Sequence, residues 1–313
     1  MPCHTIVHRQ DWFLEENYRA RTDREEPGFL DRSFELHFNE RPFLNHFSYL
    51  FITRTTKERM RQQSNFSVLC RGHILPREVR DKDGILRFLE AVEQFGRIIC
   101  DSGLVRLERL TTEEITGKGK EAGLVEKYFS LSQEDTTTLE DIRLGGAEMR
   151  VGDKRLSVHT LSDADDLPSA VRTDGRYEKY STDRSDCRLS FAAPVGLMLP
   201  YNHICNQYVF IDDPSETLRH FEKAARNMRS LSRYSRANEI NRQWTEEYLN
   251  EAHSFGLVPV RCHCNVMAWS DDRDELKRIR NDVGSQLALM ECKPRHNTVD
   301  TPCLLYTSPS PRD

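Results

Sequence analysis

The sequence has no run of about eighteen apolar residues, so no segment reads as a membrane-spanning helix. It opens without a basic stretch followed by an apolar one, so a secretory signal is not expected. Nine cysteines are present, yet none forms a Cys-x-x-Cys pair. Together these absences point to a reduced, cytoplasmic protein. An excess of positive charge is also missing. The net charge of -5 gives no global electrostatic case for nucleic-acid binding. No GxSxG elbow and no HExxH helix occurs, which leaves a hydrolase or metalloprotease without support.

The 313 residues suffice for one large domain or two ordinary ones. Charged residues make up 30% of them, and the mean hydropathy of -0.68 indicates a highly solvated surface. HTIVHRQDWF, from His4, reads as a strand running into a turn, and residues 19 to 28 as a charged loop. Residues 29 to 40 suit a helix. Phe43 to Thr53 is aromatic and β-branched and reads as a buried strand. Gly84 to Cys100 places Ile85, Phe88, Leu89, Val92, Phe95 and Ile99 on one helical face, with Asp83 as the cap. Leu104 to Leu110 alternates like a strand, and residues 122 to 131 suit a helix.

Met149 and Val151 alternate before Gly152-Asp153, and Leu156 and Val158 after it, which predicts a hairpin. Residues 162 to 187 are polar and form a long loop, with room for a subdomain on either side. Phe191 to Met198 and Gln207 to Ile211 read as strands. Helices follow at Glu216 to Leu231, with Leu218, Phe221, Ala225 and Met228 on one face, and at Ser235 to Phe255, with Ile240, Trp244, Tyr248 and Ala252. Gly256 ends the second of these. Val258 to Trp269 is a strand. Asp271 or Asp272 caps a last helix carrying Leu276, Ile279, Val283, Leu287 and Met290. The mixed order of strands and helices predicts an α+β fold: a mixed, substantially antiparallel sheet with packed amphipathic helices. It offers no complete RecA-like motor domain.

Few segments carry recognisable chemistry. Gly117-Lys-Gly-Lys-Glu-Ala-Gly123 lacks both the spacing of a phosphate-binding loop and the Ser or Thr after its lysine, so it reads as a solvated turn before a helix. Cys262-His263-Cys264 invites a zinc reading, but a strand sends His263 to the face opposite the two thiols. Asp163, Asp165 and Asp166 lack the glycine and terminal glutamate of a calcium loop and read as solvated. His4, His8, His46, His73, His203 and His263 are dispersed and read as structural. No catalytic, cofactor-binding or metal-binding residue is therefore expected. Residues 54 to 80 are locally basic. Lys57, Arg59, Arg61 and Arg71 are the candidates there for contact with nucleic acid or an acidic membrane surface.

Three longer stretches carry a resemblance. They are His37 to Gly72 (HFNERPFLNHFSYLFITRTTKERMRQQSNFSVLCRG), Tyr177 to Asp213 (YEKYSTDRSDCRLSFAAPVGLMLPYNHICNQYVFIDD) and Glu291 to Pro302 (ECKPRHNTVDTP). Each resembles the amino-terminal domain of the TraG-type conjugative transposon ATPases of Bacteroidetes, in the type IV secretion ATPase superfamily. The likeness covers essentially residues 4 to 302. It implies a pre-motor docking and assembly domain of a conjugative DNA-transfer ATPase, peripheral to the inner membrane on the cytoplasmic side. The implied partners are inner-membrane components of the conjugation channel and, in the parent protein, further copies of itself. ATP and Mg²⁺ would belong to a motor domain further along the parent. This fragment alone is expected to be inactive, since neither Walker motif falls within it. A nucleic-acid-binding module built on residues 54 to 80 is the alternative.

The resemblance also frames the two ends. TIVHRQDWF looks like a segment lying some way inside such proteins. Cys303 to Asp313, CLLYTSPSPRD, has the Pro/Ser composition of a disordered tail. All of its positions are matched by translation of a DNA string resembling the transposase adapter attached to fragments before sequencing. The tail is thus expected to be non-native, with the native frame breaking off near Pro302.

Overall fold

The computed structural model describes residues 3–16, 25–40, 43–56, 81–134, 141–144, 149–161, 166–168, 171, 176, 193–231 and 235–297. The described residues form strands β1 (Cys3–Glu16), β2 (Phe43–Thr56), β3 (Ile142–Leu144), β4 (Met149–Val151), β5 (Lys154–Leu161), β6 (His203–Ile211), β7 (Val260–Ser270) and β8 (Arg295–Asn297). The helices are α1 (Phe29–Asn39), α2 (Lys82–Asp101), α3 (Thr112–Thr116), α4 (Leu124–Ser130), α5 (Ala193–Met198), α6 (Pro214–Leu231), α7 (Arg236–Phe255) and α8 (Arg273–Leu289). The fold is α+β. The strand order is β2-β1-β6-β7-β5-β4-β3, with β8 paired to β5 beside that path. The pairings β3–β4, β4–β5, β5–β7 and β5–β8 are all antiparallel.

The chain divides into two compact units. The first comprises Met1–His8, Phe51–Glu108 and Tyr208–Cys262; the second comprises Arg9–Leu50, Arg109–Gln207 and His263–Asp313. In the first, α6 and α7 form a helical pair. Ala225, Leu249 and Ala252 are buried, and Phe221 meets Tyr248 edge-on at 5.6 Å. Gly256 ends α7 at φ 65, where a residue with a Cβ is strained, and donates its N–H to Ala252 O. Trp244, expected on the inward stripe, is instead 65% exposed. Helix α2 forms where its apolar spacing predicts, but its cap is Asp81, whose carboxylate accepts from Gly84 N at 3.0 Å, and not Asp83. No residue of α2 is buried.

The core of the second unit lies under α8. Asp272 caps that helix, and Leu276, Ile279, Val283 and Leu287 are buried at the expected spacing. They pack with Leu161, Val195, Leu199, Cys205, Val266 and Ala268. Removing side chains of this size from water is worth about 2 kcal/mol each. The hairpin forms as predicted, with Met149 opposite Leu156 and the turn at Gly152-Asp153. From Leu156 onward every residue of β5 is buried, so the strand is covered on both faces.

Several expectations fail. Phe43 to Thr53 does form a strand, but Phe43 is 39% and Leu50 36% exposed, because β2 ends the strand order. Ala193–Met198 is a helix and not a strand. A continuous apolar run does not distinguish the two, and Pro194 sits in a first turn that needs no N–H donor. Leu104 to Leu110 pairs with no strand among the described residues, and Leu104 is 87% exposed. Alternation without a neighbouring edge does not make a strand. The strand expected to run into a turn near Trp12 instead continues through Trp12 and Phe13 to Glu16.

The Gly117–Gly123 segment links α3 to α4. Lys118 and Glu121 exchange backbone hydrogen bonds at 3.0 and 3.1 Å, and Lys118 Nζ reaches Glu113 at 2.9 Å. A Cβ on Gly123 would stand 2.2 Å from Gly117 N and 2.6 Å from Ile115 O. Backbone atoms cannot swing aside as a side chain can. Gly123→Ala is expected to destabilise the fold by about 2 kcal/mol, read as a lowered urea midpoint.

Candidate functional site

Lys57, Arg59, Arg61 and Arg71, the candidate contact residues of the basic stretch, lie outside the described residues, as do Asp163, Asp165 and His73. The polar groups that the second unit gathers are different ones. The even positions of β1 and β6 and the odd positions of β7 meet on one sheet face. There Trp12 Nε1 donates to Gln10 Oε1 at 2.7 Å, and Gln10 Nε2 to Asn206 Oδ1 at 2.9 Å. Asn206 Nδ2 then donates to Asn265 Oδ1 at 2.9 Å, and Asn265 Nδ2 points to His263 Nε2 at 3.3 Å. All five side chains are buried. Each amide thus passes a hydrogen bond onward, which is how buried polar groups are tolerated. The chain ends on an acceptor nitrogen, so His263 sits here as the neutral ring; burial holds its pKa down at about 4.

The opposite face of β1 carries an aromatic stack. Phe13 lies between His46, at 4.5 Å, and His203, at 4.6 Å, with nearly parallel rings. Gly196 admits the Phe13 ring, since a Cβ there would stand 2.9 Å from it. His203 Nδ1 bonds to Tyr201 O at 2.7 Å, and burial pushes its pKa down to about 4. His46 Nε2 is 3.1 Å from Asp11 Oδ1, and Arg9 is paired to the same carboxylate at 2.8 Å. Burial works to raise the Asp11 pKa. The hydrogen bonds from His46 and Ser48 and the charge of Arg9 outweigh it and hold the carboxyl below its usual value.

An aspartate orienting a histidine suits acid–base chemistry, and covalent catalysis would need a nucleophile beside it. The adjacent thiol does not supply one. Cys205 is buried, and its pKa is pushed up to about 12, so it remains a thiol at neutral pH. The cavity lined by Cys205, His159, Leu161, Val195 and Leu287 holds about 10 Å³, the room of a single water. Cys262 is exposed and His263 buried, as a strand requires. Among the described residues no group of three or more His, Cys, Asp or Glu converges to hold a metal ion. Asp166, expected on a solvated loop, is 1% exposed and paired to Arg295 Nε at 2.8 Å.

Positive charge gathers elsewhere, on strands outside the predicted stretch. Arg143, Arg150 and Arg155 stand directly opposite one another across β3, β4 and β5. Like charges so placed repel, which marks a row suited to anions. Two of the three arginines were legible in the sequence. Once Gly152-Asp153 is the turn, Arg150 must face Arg155. Arg143 was hidden because β3 is only three residues long.

No protein-family model matches the chain, and no curated protein matches it by sequence.

The buried rings make the fold acid-sensitive. His159, His203 and His263 all fall to about 4 from an ordinary 6.5. Between those values the unfolded chain binds more protons than the folded one, so stability is full above about pH 6.5 and is lost as pH falls towards 4. Each ring accounts for on the order of 3 kcal/mol. Urea midpoints are expected to be flat from pH 8 to 7 and to drop steeply below 6.5, with a shallower drop in His263→Gln.

Proposed function

We propose that this chain is the amino-terminal docking and assembly module of a conjugative DNA-transfer ATPase. Its partners would be inner-membrane components of the conjugation channel. The reading rests on the resemblance carried by His37 to Gly72, Tyr177 to Asp213 and Glu291 to Pro302. Helix α2 is the structural observation that supports it. The helix is 20 residues long and strongly amphipathic, yet none of its residues is buried. Ile85, Leu89 and Phe95 are 38 to 40% exposed and Ile98 is 62% exposed. An exposed apolar stripe of this length is what a docking element presents. Among the described residues no helix is long and apolar enough to cross a membrane.

ATP hydrolysis in this reading belongs to a motor domain of the parent protein. The purified chain with Mg²⁺ and ATP is expected to show no turnover above buffer, and appreciable hydrolysis would overturn the assignment. Docking has its own test. Phe88→Glu and Phe95→Glu are expected to abolish co-purification with reconstituted channel components while leaving the melting temperature within a few degrees, because neither ring is buried. Salt-dependent DNA binding that disappears when Lys57, Arg59 and Arg61 are neutralised would favour the nucleic-acid module instead.

A further inference from the structure

We infer that Ser157, His159, His296 and Arg280 form a receptor for a phosphate-type oxyanion, at the place where β5, β8 and α8 meet. Ser157 and His159 are two residues apart on β5 and share the face on which Leu161 packs against Ile279 and Val283 of α8. Their exposures are 1% and 4%. Yet Ser157 Oγ and His159 Nδ1 are buried without a hydrogen-bond partner among the described residues. Arg280 comes from α8, one position after the fully buried Ile279. Its Nε and Nη2 are likewise buried and without a partner among the described residues. His296 on β8 stands directly opposite His159, with ring centroids 5.3 Å apart, and is exposed. The cluster therefore reaches solvent through His296, while the unpaired atoms of Ser157, His159 and Arg280 are themselves covered.

Buried donors left unpaired cost about 1 to 3 kcal/mol each, and a guanidinium costs more. The carboxylates of α8 do not answer this one. Asp274 is held by Lys277 at 2.8 Å, Glu275 accepts from Ser270, and Asp282 accepts from Tyr201 at 2.7 Å. Asp166 is held by Arg295. The positive field of the cluster reaches both rings. Burial comes first, and then the charges of His296 and Arg280, in holding His159 at about 4; burial and Arg280 lower His296 as well.

A water could satisfy the serine hydroxyl but would leave the charge of Arg280 uncompensated. A carboxylate offers only two oxygens. A phosphate offers more acceptors and up to two negative charges, matching a guanidinium fork, a hydroxyl and two ring nitrogens. The row of Arg155, Arg150 and Arg143 continues on this face of the sheet, so the anion could be free phosphate or a phosphate within a nucleic-acid backbone.

The test is a titration of the full chain with inorganic phosphate at constant ionic strength, followed by calorimetry and by the histidine NMR signals. Saturable one-to-one binding is expected, with the pKa of His159 and His296 rising as the anion offsets Arg280. Sulfate should compete and chloride should not. Arg280→Gln should weaken binding about tenfold or more. His296→Gln, at an exposed ring, should weaken it without altering the melting temperature, which guards against a variant that merely unfolds. A single-stranded oligonucleotide that displaces phosphate would identify the nucleic-acid backbone as the source, and one that does not would identify free phosphate. Absence of saturable heat, equal shifts from chloride, or unchanged affinity in both variants would overturn the proposal.

Discussion

The pairing of β5 with β7 is the constraint on which the second unit depends, because β5 is buried on both faces from Leu156 onward. A one-residue slip turns every side chain of a strand to the other face of its sheet. Here a slip would move Leu161 away from α8 and carry Thr160 into the apolar cluster in its place. The register that prevents this fixes much else. It sets Val158 against Met267 and Leu156 against Trp269 on one face, and it leaves the other for α8. It also places His159 opposite His296, since β8 joins the second edge of the same strand.

Within that frame the buried polar groups divide into two kinds. Gln10, Asn206, Asn265 and His263 form a directed chain of hydrogen bonds, each amide donating onward, so the unit holds them at modest cost. His203 is held by ring stacking on Phe13 and by a hydrogen bond to Tyr201 O, and the exposed His46 stacks on the other side of Phe13 and bonds to the buried Asp11. Ser157, His159 and Arg280 are of the other kind, with buried polar atoms unmatched among the described residues, as are Gln133 Nε2, His203 Nε2, Arg261 Nε and Gln286 Oε1 elsewhere. What sets Ser157, His159 and Arg280 apart is that they come from the facing elements β5 and α8, with the charge of Arg280 reaching the His159 ring, and that clustering gives the proposed oxyanion receptor its weight.

The first unit presents a different balance. Its helical pair buries Ala225, Leu249 and Ala252, while Trp244, Phe255 and most of the α2 stripe remain in contact with water. The same spacing that buries α8 in the second unit leaves α2 uncovered. Amphipathicity states that a helix has an apolar face; it does not state what covers that face.

The sequence by itself determined what local patterns control. The spacing of Leu276, Ile279, Val283 and Leu287 predicted α8 and its inward face, Gly152-Asp153 predicted the hairpin and its register, and Gly256 predicted the end of α7. These depend on side-chain period, turn conformation and capping, which act over a few residues. Tertiary structure decided the rest. Phe191 to Met198 reads as a strand, yet Ala193–Met198 is a helix, and Leu104 to Leu110 has the period of a strand but no edge to join among the described residues. Asp166 looked solvated until Arg295, far along the chain, was brought against it. Arg280, His159 and His296 carry no motif at all. They meet because α8 crosses β5 and β8 pairs beside it, and such juxtaposition is set by packing between distant segments, which no local pattern records.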